Sequence, residues 1–532
     1  MKRYYRRMAS WVALAAVAAL ATSGEGWSQA PKPAAAPIPQ FPPGLDFAGV
    51  AGSAAEMARI ADLCGPNQNA RDGYVTTPAF PGQTQAPIMA GSQGYAVQAV
   101  AKIDRPFGMD FLPGGKMLVS FRSGGMRVVS PDGVVSQLLA NVPPVFQPRI
   151  GSGLYDVLVD RDFGRNRTIY FTYFTRTPQD KAAMGRIASA RLSADETALE
   201  DVKVLREGAE IQPRRIVQAR DGTLLILSAG DLGDVSLAPQ MLSSPAGKVL
   251  RINRDGTIPK DNPFLKVADA DPAVWALGFR DIHAALIHPR TGELWVAENT
   301  PKGGDELNVI RRGRNYGMPV ISYGRQNSGA LINGGKTAQA GMEQPLYYWT
   351  PSFAPSGITY YTGKAFPGWR GNLFIGGMSG QQLVRLTLKG ERVVAEEKLL
   401  MDRCQRIKVV KQGPDGALYI VTDEMPPKQN EILRLVPAAT VPPQRVARLV
   451  SEVASAQVES DPVGAAVFRR TCAVCHGPQG GGGVGPRIAG RPDAAFVGTV
   501  IRNGQGRMPP LGSTMSSEEI DAVTKYIAHL AP

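Results

Sequence analysis

A chain of 532 residues is too long for one small module, and at roughly 150 residues per domain it allows two to four domains. Its 59 glycines and 43 prolines exceed the usual share of turn formers without reaching a disordered composition, so many short strands are expected. With 43% hydrophobic and only 20% charged residues the chain can bury a large core, which excludes a disordered polyelectrolyte. The net charge of +13 is spread along the sequence rather than massed in a nucleic-acid-binding stretch.

Lys2, Arg3, Arg6 and Arg7 precede the apolar run Trp11 to Ala21, the pattern of an export signal, with cleavage expected after Ala21 or Ala30. The run is too short to span a bilayer. Residues 1–30 are therefore read as a signal peptide, and the mature chain as a periplasmic protein, soluble or loosely membrane-associated. Residues 31–94 are a tether and lead-in that opens on the Pro/Ala-rich stretch Pro31 to Pro43. Between 95 and 436 one pattern recurs six times, an alternating apolar stretch, a Gly-containing turn and a second β-rich stretch: Gly108 to Arg122, Gly153 to Phe174, Arg215 to Ser228, His283 to Glu298, Gly357 to Gly377, and Ile407 to Asp423. This predicts a six-bladed β-propeller of four-stranded blades, with stacked β-sandwiches as the alternative. Residues 437–460 read as a linker. In residues 461–532 a small α domain is expected, with Asp461 capping a helix that reaches Cys472 and an amphipathic helix over Ser517 to Leu530.

That last domain carries the sharpest motif, Cys472-Ala473-Val474-Cys475-His476, the C-x-x-C-H spacing of covalent c-type haem. Two thiols at this spacing can form thioethers with one porphyrin while the adjacent His476 ligates its iron. A zinc half-site lacks nearby partners, and a redox C-x-x-C belongs to another fold. Met508, set between Arg507 and Pro509-Pro510, is the expected sixth iron ligand, with Met515 as competitor. The region resembles a class I cytochrome c. Cys64 and Cys404 remain, an even pair in an oxidising compartment, and a disulfide between them is expected.

Gly153-Leu154-Tyr155-Asp156-Val157, Gly247 to Pro263, Gly278-Phe279-Arg280-Asp281, Glu298 to Asn308, Asn315 to Pro319 and Arg403 to Asp423 follow one another in a recognisable order. On these stretches the chain from Ile103 to Val436 resembles the soluble aldose sugar dehydrogenases that use pyrroloquinoline quinone (PQQ), the glucose/sorbosone dehydrogenases. The resemblance implies an all-β six-bladed propeller, here followed by a C-terminal all-α cytochrome c domain. It places Arg280 against quinone and substrate oxygen, and Asn299 and Asp305 in the quinone pocket. Arg406 and Lys408 then fall on the quinone carboxylates, and the carbonyls of Thr300 and Pro301 on a calcium ion. The family's catalytic histidine falls near Ile211 and its quinone-contacting lysine at Ser379. Asp281 stands for an asparagine and His283 for a glutamine. His283, Asp281 and Glu210 are therefore the candidate general bases, His288 a structural histidine and His529 a surface one.

The function implied is oxidation of a sugar, sugar-derived aldehyde or alcohol, with electrons passed from quinone to haem and on to a periplasmic or membrane-bound acceptor. No nucleic-acid partner is expected. The alternative is a propeller that binds a ligand or partner while the cytochrome alone carries electrons.

Overall fold

The computed structural model describes residues 77–87, 94–147, 153–176, 183–230, 236–424, 429–438 and 462–476, with 488, 493–505, 508, 510–512 and 515–530. The expected signal peptide, the Pro/Ala tether, Cys64, Asp461 and the linker after Ala438 lie outside them. Among the described residues no helix is long and apolar enough to cross a membrane.

Six sheets form in sequence order. Strand β1 (Tyr95–Ile103) precedes blade one, which is β2 (Pro106–Phe111), β3 (Met117–Phe121) and β4 (Met126–Val129). Blade two is β5 (Leu154–Val159), β6 (Thr168–Arg176), β7 (Ala183–Leu192) and β8 (Leu199–Gly208). Blade three is β9 (Pro213–Gln218), β10 (Leu224–Ser228), β11 (Lys248–Ile252) and β12 (Val274–Leu277). Blade four is β13 (Ile282–Ile287), β14 (Leu294–Glu298), β15 (Asp305–Ile310) and β16 (Tyr347–Trp349). Blade five is β17 (Pro355–Tyr360), β18 (Leu373–Gly377), β19 (Leu383–Lys389) and β20 (Arg392–Leu399). Blade six is β21 (Ile407–Gln412), β22 (Leu418–Thr422) and β23 (Asn430–Pro437), completed by β1, which pairs antiparallel with β23 from Tyr95 opposite Pro437 to Ile103 opposite Asn430.

Two details depart from the expectation of uniform four-stranded blades. Blade one has three strands, and Val135 bridges its edge at Val129. Tyr95–Ile103 does not open blade one but closes blade six. The lead-in is also anchored, since Tyr348 donates its backbone N–H to the Gln83 carbonyl at 2.8 Å and the Tyr347 hydroxyl accepts from Ala86 at 2.9 Å.

The inner strands β2, β5, β9, β13, β17 and β21 touch in a closed ring. Apolar residues on both faces of each blade bury against its two neighbours, as in the cluster joining Trp295, Leu307 and Val309 of blade four to Ile358, Ile375 and Val384 of blade five. Near the axis the strands crowd so closely that only glycine fits at some positions. A Cβ at Gly108 would stand 2.9 Å from the Asp156 Cα, and one at Gly357 2.2 Å from the Val410 nitrogen.

The C-terminal domain packs Val467, Phe468, Cys472, Val497, Ile501, Ile520, Val523 and Ile527 into a small core. Its first helix, Pro462–Val467, runs through a π-turn at Phe468–Cys472 into Ala473–His476. The helix Ala494–Asn503 is capped by Asp493, which accepts the Phe496 N–H at 2.9 Å. The closing helix spans Ser517–His529 and starts with a capping box, Ser516 and Glu519 each accepting the other's backbone N–H.

Candidate active site on the propeller axis

Each inner strand carries a bulge at the end where it begins. The register slips at Phe107 in β2, Tyr155 in β5, Arg214 in β9, His283 in β13, Ser356-Gly357 in β17 and Lys408 in β21. A bulge inserts one unpaired residue and re-aims its side chain, so six bulges at one end of the ring turn six positions inward together. The side chains meet as the geometry requires. The Lys408 amine lies 4.1 Å from the centre of the Phe107 ring, Phe107 packs edge-on against Tyr155 at 4.3 Å, and the Arg214 guanidinium covers Tyr155 at 4.6 Å.

A line of hydrogen bonds crosses the same space. Arg214 Nε donates to Asp281 Oδ1 at 2.8 Å, His283 Nε2 lies 3.0 Å from Asp281 Oδ2, and Lys408 Nζ lies 3.2 Å from His283 Nδ1. Burial works against a charge on Asp281, but Arg214 and then His283 outweigh it and hold the carboxyl well below its usual range. An ionised carboxylate only accepts, so His283 carries its proton on Nε2 and offers Nδ1 to the lysine. Burial, with Lys408 adding to it, pushes the imidazole down to about 3 over the pull of Asp281. Burial likewise drives the Lys408 amine well below its ordinary value.

In this arrangement the two candidate bases, His283 and Asp281, are tied to each other and to their neighbours. Both ring nitrogens of His283 and both oxygens of Asp281 are occupied within the protein, and both residues are buried. Glu210 stands apart, exposed and hydrogen-bonded to Ser244. Ile211, at the family's histidine position, is buried in the apolar core around blade three. His288 is structural as expected, stacked on Trp295 and edge-on to Tyr360.

Asp305, expected in the quinone pocket, is held by several donors. It is fully buried, and its carboxylate accepts from the Thr300 N–H at 2.8 Å, the Ser352 hydroxyl at 2.7 Å, and the Phe353 and Ala354 N–H groups at 2.9 Å each. It clamps the loop carrying Thr300 and Pro301 to the start of blade five. Gly303 and Gly304, at φ 76° and 77°, give that loop its turn. Asn299, 7% exposed, has a buried side-chain oxygen with no hydrogen-bond partner, an orphaned acceptor suited to a polar ligand atom.

Charge at the axis is unbalanced. Asp423 pairs with Arg122 at 3.1 Å, Asp281 with Arg214, and Asp156 with Arg215 at 2.9 Å. Among the described residues the Arg280 guanidinium and the Lys408 amine contact no carboxylate, and Arg406 only shares Asp423 at 3.4 Å. Arg280 instead donates to the Asn299 carbonyl at 3.0 Å, which points its guanidinium along the pocket loop. Two guanidinium groups and the Lys408 amine thus face this end of the ring without carboxylates of their own, an arrangement suited to a multiply charged anion. Arg214, Arg122 and Asp423 are not among the residues expected from sequence. The signal that could have found them is a break in strand alternation beside Pro or Gly, as in Pro106-Phe107-Gly108.

In the C-terminal domain Cys472 is buried in the apolar core and Met508 packs against the same cluster, while His476 is buried at the end of the first helical stretch. Met515 is a core residue, 8% exposed. The Cys475 side chain lies outside the described residues. Cys404 is disulfide-bonded; its expected partner, Cys64, lies outside the described residues.

Residues 103–434 match the family model for Glucose / Sorbosone dehydrogenase, and residues 460–527 match that for Cytochrome C oxidase, cbb3-type, subunit III. The chain belongs to the glucose/sorbosone dehydrogenase family and carries a cytochrome c domain after its propeller. Among its relatives is the aldose sugar dehydrogenase YliI of Escherichia coli (strain K12), 35% identical over 346 residues, covering 63% of this chain and 91% of the relative. The crystal structure of the soluble aldose sugar dehydrogenase of Escherichia coli in its apo form superposes with a TM-score of 0.61 at 32% identity, over 64% of this chain and 99% of that one. A PQQ-bound aldose sugar dehydrogenase from Streptomyces coelicolor shares the fold, with a TM-score of 0.53 at 24% identity, over 66% of this chain and 99% of that one.

Proposed function

We propose that the chain is an exported quinoprotein dehydrogenase that oxidises a sugar, a sugar-derived aldehyde or an alcohol with PQQ and passes the electrons to its own c-type haem. The observation that carries this reading is the convergence of Arg280, Arg406 and Lys408 at the end of the ring where the inner strands begin, since PQQ is a tricarboxylate. The relatives' activity on aldoses and the PQQ held by the Streptomyces coelicolor protein support it. Arg406 and Lys408 would hold the quinone carboxylates, the Asn299 amide would meet a polar edge, and the carbonyls of Thr300 and Pro301 would take calcium. Bound PQQ supplies the hydride acceptor. Arg280 orients the substrate oxygen and stabilises charge developing on it, and the aromatic floor of Phe107 and Tyr155 excludes water.

Cys472 and Cys475 would carry the haem, with His476 and Met508 on its iron. The chain leaves β23 at the end of the ring opposite the cluster. Residues 439–461, at roughly 3.3–3.6 Å each when extended, reach about 80 Å. That length lets one haem serve the site on its own chain at high effective concentration. A second reading, a ligand-binding propeller without catalysis, is favoured by Ile211 and by the occupied valences of His283 and Asp281.

Loading the purified protein with PQQ and calcium and following haem reduction across a panel of aldoses and alcohols separates the two. Reduction by at least one substrate is expected, and quinone binding without reduction by any of them would establish the second reading. For the haem, Met508→Ala should lose the near-infrared sulfur-to-iron band and keep covalent haem. Met515→Ala should keep the band and lose roughly 2–5 kcal/mol of domain stability, the range for truncating a buried methionine. The reverse pattern would exchange the two assignments.

A further inference from the structure

We propose that Lys408 takes up a proton when a carboxylate-bearing ligand enters the axial site, and that His283, fixed by Asp281 and Arg214, is the positioning residue that keeps the lysine amine in place to receive it. The inference rests on the PQQ reading above and adds a proton-linked step to binding that neither family nor fold specifies.

The amine is caged. Lys408 is 1% exposed, and its Nζ touches the Phe107 ring face, His283 Nδ1 at 3.2 Å and Met378 Sδ at 3.5 Å. Its backbone is pinned as well, the Lys408 carbonyl accepting from Arg215 Nη2 and from Ser356 Oγ at 2.9 Å each. A ring face, a thioether and a neutral imidazole are poor substitutes for water or a counter-ion around an ammonium.

The charged groups that face it add to the imbalance. Arg122 covers the same Phe107 ring at 4.7 Å, Arg215 approaches from blade three, and Arg406 comes from blade six. The carboxylates in reach are already engaged, Asp423 by Arg122, Asp156 by Arg215, and Asp281 by Arg214 and His283. Cations therefore prevail around a dry amine, and these surroundings favour its neutral form, in line with the direction in which burial moves it.

A ligand carboxylate delivers the missing negative charge. The lone pair on Nζ then takes a proton from solvent, and the resulting ammonium donates to the ligand while still donating to His283 Nδ1. The imidazole suits both states, because it needs only to accept. That depends on its own proton staying on Nε2, which the Asp281 carboxylate enforces and Arg214 sustains by keeping that carboxylate ionised. Arg214, Asp281, His283 and Lys408 thus form one mutually dependent set.

The test is calorimetric titration of PQQ into the full-length, calcium-loaded protein at pH 8 in two buffers of very different ionisation enthalpy, phosphate and Tris. The observed heats should differ by the amount expected for uptake of close to one proton per quinone. Lys408→Arg, whose guanidinium stays charged, should bind with the uptake abolished. In the wild-type protein, imidazole nitrogen NMR should show His283 as the neutral Nε2–H tautomer throughout pH 5–8, and Arg214→Gln should shift both ring-nitrogen signals. Equal heats in both buffers, or undiminished uptake in Lys408→Arg, would overturn the proposal while leaving quinone binding intact. Failure of PQQ to bind in either buffer would overturn both this proposal and the dehydrogenase reading.

Discussion

Arg215→Ala should destabilise the propeller by about 3–5 kcal/mol, the cost of removing one partner from a buried ion pair. Few side chains reach so many strands. From β9 of blade three, Arg215 binds Asp156 of blade two at 2.9 Å, the His283 carbonyl of blade four at 2.7 Å, the Lys408 carbonyl of blade six at 2.9 Å and, at 3.4 Å, the Phe107 carbonyl of blade one. Truncation strands a buried Asp156 carboxylate and strips donors from carbonyls that water does not reach, so the loss exceeds that of a surface pair. Arg215→Lys keeps the charge but gathers its donors on a single nitrogen that cannot span these partners, and should fall between wild type and alanine. Arg165→Ala, at an exposed pair with Asp162, should be nearly silent. Urea denaturation of the full chain measures all three, and an Arg215→Ala midpoint close to wild type would refute the account of the axis.

The second large effect is on acid stability. His283 is held down to about 3 in the folded protein, against about 6.5 in the unfolded chain. Above pH 6.5 both states are neutral at this site and its contribution is complete. As pH falls below 6.5 the unfolded chain binds a proton that the folded ring refuses, so stability drops by up to about 1.4 kcal/mol per pH unit until about pH 3. Asp281, depressed from its ordinary value, adds a loss of the same sign, but only below the usual carboxylate range. His283→Gln, whose amide can still donate to Asp281, should flatten the slope between pH 6.5 and 4 while leaving the neutral-pH midpoint little changed. Parallel profiles for wild type and variant would rule the buried neutral imidazole out.

The six blades and the cytochrome c domain are legible in repeats and motif spacing, because hairpin alternation and C-x-x-C-H are local patterns. What stays hidden in the sequence is non-local. Tyr95–Ile103 alternates like the opening strand of a blade, and only its pairing with β23 shows that it closes the last one. Arg280, Arg406 and Lys408 can be picked out by resemblance. Arg214 cannot, since its meaning depends on a bulge that aims it at a carboxylate 67 positions away in sequence. Sequence gives the residue type of Asp305 and His283 but not the donors around the carboxylate or the partners of the imidazole. The capping box at Ser516 and Glu519 is written in the S-x-x-E spacing, a sharper mark of that helix start than the acidic residues in its first turn.

The pairing of Tyr95 with Pro437 also orders events in time. A strand formed near the start of the propeller has no partner until almost its whole length has been made, and contacts this distant in sequence are slow to form. During synthesis the chain therefore passes through a five-bladed state with β1 unpaired and the sixth sheet incomplete, and open edges of that kind template association between chains. A chain cut short anywhere between Leu418 and Asn430 remains in that state. Loss of a few residues after the last recognisable repeat would thus appear as aggregation rather than as a loss of catalytic chemistry.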